Sequence, residues 1–386
     1  MKPAHPSFFV LIALIGGLAI FSSTLSKTPV LPLFAVSLNA TPAEIGWIVM
    51  ASTIPGVLIS YPAGALSDYL GKRRVLLASL IVFATAPFLY LVIETAWQLM
   101  AARFYHGFAT AIFGTVASAA IAERYSADRA ARLSTYSSVT IVGRSIAPFL
   151  GGTLISLASF GAVYIACAIS GVLALAAGLL LRDHEPLPKT KLELPHFWAS
   201  LRNVLRERSI MLVSTVEAAQ YLVFGAIEAF LALYAASLGI PAWQIGVILG
   251  VQLISIVFAK PLMGRVSDRV GRRRVILPGL LIGAAGVVLL PYFPSFIGLS
   301  VLSLAFGLGF ATVTSSTTAL VADLTRDGRY GSSMGVLRTV MDVGQSIGPV
   351  LTGFMVGAAG YASAFTLLAV ILVAAALMLG LLLRDG

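Results

Sequence analysis

Long apolar runs separated by short polar segments are the dominant pattern along the chain. Most runs are about 20 residues or longer, the length that an α-helix needs to cross the hydrocarbon core of a bilayer. Strands are not expected to span, because open strand edges would leave backbone groups unpaired in lipid, and no alternating barrel pattern is visible. The pattern predicts twelve transmembrane helices near residues 8–37, 44–63, 75–93, 97–122, 133–157, 161–181, 209–237, 242–263, 275–293, 295–322, 332–357 and 361–383.

The composition agrees with a membrane location for nearly the whole chain. Of its 386 residues, 58% are hydrophobic and 11% are charged, whereas soluble domains have roughly 45–50% apolar and about 25% charged residues. Twelve spans with short loops leave no length for a soluble domain. The predicted fold class is therefore an all-α integral membrane protein.

Positively charged residues fall mainly in every second loop. A net charge of +10 would suggest a nucleic-acid partner in a soluble protein. Here the bias is the one that marks cytoplasmic loops of membrane proteins, so we expect no nucleic-acid partner and place both termini in the cytoplasm. The basic loops lie near residues 64–74, 123–132, 182–208, 264–274 and 323–331.

An internal repeat divides the chain into two related halves. The segment 31–46 aligns without gaps with 231–246, and 64–75 aligns with 264–275, both at an offset of 200 residues. Two parallel copies of a six-helix unit explain this repeat. The predicted parts are an N-terminal six-helix bundle (1–181), a cytoplasmic linker (182–208) and a C-terminal six-helix bundle (209–386).

The linker is the one long polar segment, and it allows two interpretations. Phe197, Leu201, Val204 and Leu205 recur at helical spacing among arginines, which suits a short helix on the inner leaflet. A flexible charged linker is the alternative.

Several motifs resemble those of the major facilitator superfamily. GALSDYLGKRR (64–74) is similar to the family's signature between helices two and three, and GRVSDRVGRRR (264–274) is its counterpart in the second half. LMAARFYHGFATA (99–111) resembles the helix-four motif of drug:proton antiporters, and GRSIAPFLGG (143–152) resembles the helix-five motif of antiporters. Two departures are His106, where a polar residue such as Gln is usual, and Ala147 in place of a glycine.

The resemblance implies alternating access, in which two halves rock about a central site lined mainly by helices one, four, seven and ten. It also implies charge clusters that close the inner gate, one of Asp68, Arg74 and Glu123 and one of Asp268, Arg274 and Asp323. Solvated loop charges are the alternative interpretation. The gating candidates are Gly64, Asp68, Gly71, Arg74, Glu123, Gly264, Asp268, Gly271, Arg274 and Asp323. The helix-five and helix-eleven motif comprises Gly143, Pro148, Gly152, Gly344, Pro349 and Gly353.

Charged residues inside the predicted helices are candidate functional residues, because an unpaired charge in a bilayer is costly. Structural ion pairs between helices are the alternative for each, and His106 fits a hydrogen-bonded packing role as well as a proton carrier. The proton-coupling candidates are Glu228, Asp342, Glu217 and Arg103. The candidates for a substrate cavity are Lys27, Arg103, His106, Arg144, Tyr221, Phe224, Glu228 and Arg338.

Helix seven carries two specific hypotheses. Glu217, Tyr221, Phe224 and Glu228 share one helical face of acids and aromatics, which would suit a binding cavity. The repeat also places Glu228 at nearly the depth of Lys27, so we hypothesise that these two side chains face each other or the same bound water. Either Glu228 couples transport to protons, or the two charges form a permanent structural pair.

The sequence and the resemblance together predict proton-coupled export of a small organic or amphipathic substrate. The alternative is an organic-anion transporter, by symport or export, that uses the basic intramembrane residues. A non-transporting membrane sensor or assembly factor is a third class, which the lack of a sizeable extramembrane domain disfavours.

The remaining expectations concern cofactors and location. The sequence has no phosphate-binding G-x-x-x-x-G-K-[ST] loop, no Cys/His cluster with metal-ligand spacing, and no site for a nucleophile and base. We therefore expect no enzymatic activity, no metal and no cofactor. The expected partners are a small-molecule substrate, protons and the lipid bilayer, and the expected form is a monomer in a bacterial inner membrane.

The orientation can be tested by labelling single introduced cysteines in a background without Cys167. Cysteines at Asn39 or Gly239 should react with impermeant reagents from outside, and cysteines at Ser126 or Lys189 only from inside. The physical reason is the concentration of Lys and Arg in the loops of the second group. Reversed labelling would overturn the orientation and the assignment of the gating loops.

Overall fold

The computed structural model describes residues 8–125, 128–181, 206–325 and 330–382, and every regular element in these ranges is helical. The α-helices are α1 (Phe8–Leu25), α2 (Val30–Ser37), α3 (Pro42–Ala51), α4 (Ile54–Leu70), α5 (Lys72–Leu89), α6 (Ala96–Arg124), α7 (Arg129–Leu157), α8 (Phe160–Leu179), α9 (Arg208–Ser237), α10 (Ala242–Val270), α11 (Arg272–Val288), α12 (Phe296–Leu324) and α13 (Tyr330–Leu382). Short 3₁₀ turns at Tyr90–Val92 and Leu290–Tyr292 follow α5 and α11. The linker, with its possible interfacial helix, lies almost wholly outside the described residues.

Local sequence signals set several helix boundaries. Thr95 caps α6, because its side chain accepts from the backbone N–H of Gln98 while the Gln98 side chain accepts from the backbone of Thr95. Gly71 and Gly271 separate α4 from α5 and α10 from α11 at φ values of 91° and 105°. A side chain at such φ values is strained, so glycine suits both turns.

The described ranges contain eleven helical segments that are long and apolar enough to cross a membrane. One of them, Ser333–Leu382, is 50 residues long, and its backbone is not helical at Gly360, where φ is 80° and ψ is 175°. A single span needs only about 20 residues, so this segment is more than twice the required length. The sequence prediction divides this segment into two spans, 332–357 and 361–383. This division accounts for the difference between eleven segments and twelve predicted spans.

The described residues fall into two compact units, one of 8–38 and 51–181 and one of 39–50 and 206–382. The division follows the repeat except for residues 39–50, which group with the second unit. Close backbone packing explains this exception. Gly46 has no side chain, and a Cβ atom added there would lie only 2.6 Å from the carbonyl oxygen of Pro349. Gly353 likewise packs directly on the backbone of Pro42.

In the first unit, α1 packs against α7 and α8, while α5 packs against α6 and α8. Ile12, Ile15, Phe83 and Phe113 are fully buried members of its core. Two hydroxyls join α1 to α8, since Ser22 donates to the carbonyl of Cys167 and Ser170 donates to the carbonyl of Leu18, each at 2.9 Å. Such interhelical bonds are favourable where water is absent.

In the second unit, α9 packs along α13, and α12 packs against α10 and α11. Glycines bring α9 and α13 into backbone contact. A Cβ atom at Gly225 would lie 2.6 Å from the carbonyl oxygen of Gln345, and Cβ atoms at Gly344 and Gly348 would overlap the carbonyls of Ala218 and Leu222. This is the close packing that small residues permit between membrane helices.

Gly348→Ala should therefore destabilise the protein, because the added methyl group would force α9 and α13 apart. Overpacking of this kind costs about 1–3 kcal/mol, and we expect a lower midpoint of thermal unfolding in detergent. Gly335→Ala is the matched control on the same helix, since a Cβ atom at Gly335 meets nothing within 4 Å. Equal midpoints for the two variants would show that the α9–α13 contact is not tight.

Candidate functional site

A carboxyl group is buried between α9 and α12 of the second unit. Glu217 is 3% exposed, and its Oε2 atom lies 2.6 Å from the Oγ1 atom of Thr317. Glu217 faces α12 because it shares a helical face with Val213 and Gln220, which are also buried. A buried acid with a hydroxyl partner is a group that can hold or release one proton.

Further polar side chains extend this site along both helices. Ser214 and Gln220 lie three residues before and after Glu217 on α9, and Ser316 lies beside Thr317 on α12. Each of these three carries a buried nitrogen or oxygen that finds no hydrogen-bond partner among the described protein atoms. Buried polar atoms of this kind are usually satisfied by ordered water.

Aromatic side chains lie next to the acid on the same two helices. The ring of Phe310 on α12 is 4.5 Å from Phe224 and 5.0 Å from Tyr221, measured between centroids. Tyr221 is one helical turn from Glu217, as the predicted acid and aromatic face requires. Aromatic rings can stack on planar or amphipathic organic molecules, but Phe224 and Phe310 are only 5% and 4% exposed, so protein covers them in this conformation.

Lys260 is a cation near this site that sequence reasoning missed. It lies on α10 and interacts electrostatically with Glu217. The rule that selected the other intramembrane charges applies to it equally, because it falls inside the predicted helix 242–263. Thr317 was also missed, and no sequence signal distinguishes it from its neighbours Thr314 and Thr318.

The other charged candidates have different surroundings. Glu228 is buried on α9 and Lys27 is half-buried between α1 and α2. Because they belong to different units, the hypothesis that they face each other stays a prediction. Asp342 is half-buried on α13 and interacts electrostatically with Arg338, one turn earlier.

Arg103 and His106, the two candidates on predicted helix four, lie inside the first unit. Arg103 is 4% exposed, and its Nη1 atom donates to the hydroxyl of Tyr90 at 3.3 Å. That hydroxyl is also 3.1 Å from Nδ1 of His106, and the Tyr90 ring stacks on Tyr164 at 4.5 Å. These contacts favour the hydrogen-bonded packing interpretation of His106.

The inner charge clusters use a different basic residue from the predicted one. Glu123 forms an ion pair with Lys72, and Asp323 accepts from Nε of Arg272 at 3.0 Å, whereas Arg74 and Arg274 were predicted. Lys72 is partly covered, but Arg74 is exposed, because position 72 shares the buried face of α5 and position 74 does not.

The two copies of this cluster match at an offset of 200 residues. In the second, Arg272 also forms an ion pair with Asp268 and donates to the hydroxyl of Ser267 at 2.8 Å. The side chains of Asp68 and the surroundings of Gly64 lie outside the described residues. A Cβ atom at Gly264 or Gly271 would meet nothing within 4 Å.

Comparison with known families decides the identity of the fold. The sequence profile described as Major Facilitator Superfamily matches residues 12–251 and 213–386. The chain belongs to the major facilitator superfamily. This match confirms the resemblance that the loop, helix-four and helix-five motifs indicated. By family, the protein is a membrane transporter.

Relatives within the superfamily are distant in sequence. An MFS-type transporter of Methanocaldococcus jannaschii is 24% identical over 341 residues, which cover 87% of this chain and 88% of the relative. The quinolone resistance protein NorA of Staphylococcus aureus is 24% identical over 330 residues, 84% of each chain. A mutant of the nucleoside transporter NupG has the same fold, with a TM-score of 0.82 at 15% identity, covering 98% of this chain and 100% of that one.

The superfamily's helix-five motif occupies helix contacts in this chain. Gly143 on α7 approaches α1 closely, since a Cβ atom added to it would lie 3.0 Å from the carbonyl oxygen of Gly17. Gly152 is buried, and Pro148 and Pro349 lie inside α7 and α13. In the second unit, Gly344 packs on the backbone of Ala218 and Gly353 packs on that of Pro42, so three glycines of the motif occupy close helix contacts.

Arg144 and Arg338 are exposed inside their helices. A charged group within a membrane span must reach water or another protein group. These two arginines therefore mark faces of α7 and α13 that are not simple lipid-facing surfaces.

The ion-pair assignment predicts a difference between neighbouring arginines. Arg272→Gln should lower the midpoint of thermal unfolding, and a double-mutant cycle with Asp323→Asn should give a coupling of about 0.5–1 kcal/mol, as for partly exposed pairs. Arg274→Gln, the control, should show no coupling with Asp323→Asn. Coupling at Arg274 in place of Arg272 would restore the original assignment.

Proposed function

We propose that this protein exports small organic or amphipathic molecules by proton-coupled alternating access, with Glu217 as the proton carrier. The observation that supports this proposal is the buried Glu217 carboxyl, bonded to Thr317 and adjacent to the aromatic cluster of Tyr221, Phe224 and Phe310. The acid offers a proton site and the rings offer an apolar binding surface.

The short distance along α9 between these two features supports coupling. Glu217 and Tyr221 are one turn apart, so a change in charge at the acid alters the electrostatic field at the aromatic cluster. Charge in a low-dielectric interior acts strongly over such distances. A proton bound at Glu217 would therefore change the affinity for a substrate at the rings, which is the differential binding that coupling requires.

Export is favoured over import by the antiporter-like motifs and by one relative. NorA is named as a quinolone resistance protein, and efflux of organic compounds is consistent with that name. At 24% identity the likeness suggests a substrate class rather than a particular substrate.

The inner ion pairs have a place in the same proposal. Lys72 with Glu123 and Arg272 with Asp323 link helix ends within each unit. In the proposed cycle, they and Asp68 and Asp268 stabilise the state in which the cytoplasmic side is closed. The chain then has twelve spans, cytoplasmic termini and a monomeric form in the cell membrane.

Transport of an organic anion is the second candidate function. Arg144 and Arg338, exposed within long helices, would provide positive charge for a substrate carboxylate. Arg103 contributes less to this candidate, because it is buried and bonded to Tyr90.

Glu217→Gln should abolish transport driven by a pH gradient in proteoliposomes while substrate still binds, because an amide cannot exchange the proton. Glu228→Gln and Asp342→Asn are the matched variants and should keep the response to the gradient. The assay uses cationic dyes and organic anions in parallel, with and without the gradient. Loss of coupling in Glu228→Gln, with normal coupling in Glu217→Gln, would transfer the role to Glu228 and support the Lys27 hypothesis.

A further inference from the structure

The hydroxyl of Thr317 lies between two oxygen atoms. Its Oγ1 atom is 2.6 Å from Oε2 of Glu217 and 2.9 Å from the carbonyl oxygen of Val313, one turn earlier on α12. A threonine hydroxyl has one hydrogen, so it can donate to only one of these oxygens at a time. The position of that hydrogen must therefore depend on whether Glu217 carries a proton.

Two arrangements satisfy the observed distances. When Glu217 is ionised, the Thr317 hydroxyl donates to Oε2 and its bond to Val313 is broken. When Glu217 is protonated, Oε2 donates to Oγ1 of Thr317, and the threonine hydrogen turns to the Val313 carbonyl. The proton on Glu217 comes from outside this pair and returns there, since Thr317 only rotates its own hydrogen.

The hydrogen bonds contribute similarly to the two arrangements. A hydrogen bond to a charged group contributes roughly twice as much as a neutral one. The ionised state therefore has one strong bond, and the protonated state has two ordinary bonds. Neither state leaves the buried hydroxyl or Oε2 without a partner, which would cost about 1–3 kcal/mol.

The charged groups around this pair are few in the described part of the chain. From α10, Lys260 acts on Glu217, and from α13, Asp342 and Arg338 act on each other. The neighbouring residue on α12, Ser316, and the flanking residues on α9, Ser214 and Gln220, are neutral. Lys260 favours the ionised state of Glu217. It is present in all the variants below, so it does not account for differences among them.

We infer that Thr317 is a positioning residue that keeps Glu217 hydrogen-bonded in both protonation states and so allows the proton to bind and leave during each transport cycle. This inference rests on the proposed function, because it assigns the partner of the proposed proton carrier. No motif in the sequence points to this residue, and the two distances support its role.

Thr314 provides a control on the same helix. It is fully buried, and its hydroxyl donates to the carbonyl of Phe310 at 2.9 Å, as the Thr317 hydroxyl does to Val313. Thr314→Val therefore removes a comparable buried hydroxyl and helix back-bond. Unlike Thr317→Val, it leaves the hydrogen bond between Thr317 and the Glu217 carboxyl in place.

The test is infrared difference spectroscopy of the full-length protein in lipid between low and high pH. The protonated carboxyl band that Glu217→Gln removes is assigned to Glu217. In Thr317→Val this band should shift to higher frequency, because the carboxyl O–H loses its acceptor. Thr317→Ser should restore the wild-type position, and Thr314→Val should leave it unchanged.

Transport in proteoliposomes provides the second readout. Turnover driven by a pH gradient should fall about tenfold in Thr317→Val, which corresponds to about 1.4 kcal/mol, with the substrate KM unchanged. Thr317→Ser should transport at near the wild-type rate. If Thr317→Val does not fold, Thr317→Ala and Thr317→Cys replace it in both measurements.

The outcomes separate this inference from the proposed function. An unshifted Glu217 band in Thr317→Val, or the absence of any titrating Glu217 band, would overturn the role of Thr317 even if transport is proton-driven. Wild-type transport that ignores the pH gradient would overturn the proposed function, while the band shift would still report the hydrogen bond. An equal fall in turnover for Thr314→Val would also overturn the specific role.

Discussion

The absence of water from the bilayer interior is the constraint on which the rest of this structure depends. Every backbone N–H and C=O in a span must be satisfied within the protein, so the chain forms long helices and little else. Hydrophobicity then does not distinguish one helix neighbour from another, because lipid is as apolar as leucine. Specific contacts must come from small residues and from a few polar groups.

Both kinds of contact appear at defined places. Gly344 and Gly348 let α13 approach the backbone of α9, and this alignment also fixes the rotation of α9 about its axis. Glu217 consequently faces Thr317 on α12, and the neighbouring rings of Tyr221 and Phe224 face Phe310. The packing of one face of α9 by glycine thus positions the acid on another face, and the proposed chemistry depends on a purely steric contact.

Sequence reasoning predicted the features that depend on length, repetition and helical period. The apolar runs, the offset of 200 residues and the shared face of Glu217 and Tyr221 all have this origin. The structure pairs Glu123 with Lys72 where the resemblance implied Arg74, because choosing between the two requires knowing which face of α5 is buried. Val75 and Leu76 are buried, and Lys72 lies one helical turn before them on the same face. Thr317 was not predictable, because many helical threonines bond only to their own backbone, and its second partner is 100 residues away.

The middle residue of each basic triplet, 72–74 and 272–274, is an arginine that joins two helices of its own unit. Arg73, at the start of α5, donates to the carbonyl of Leu179 at 3.3 Å, and Arg273, at the start of α11, donates to the carbonyl of Gly380 at 2.5 Å. These carbonyls belong to the last helix of each unit, at an end where backbone acceptors have no helical partner. Each guanidinium therefore ties a helix in the middle of its bundle to the helix that completes it. In each unit this bond adds a polar contact at one end of an apolar helix interface, that of α5 with α8 and that of α11 with α13.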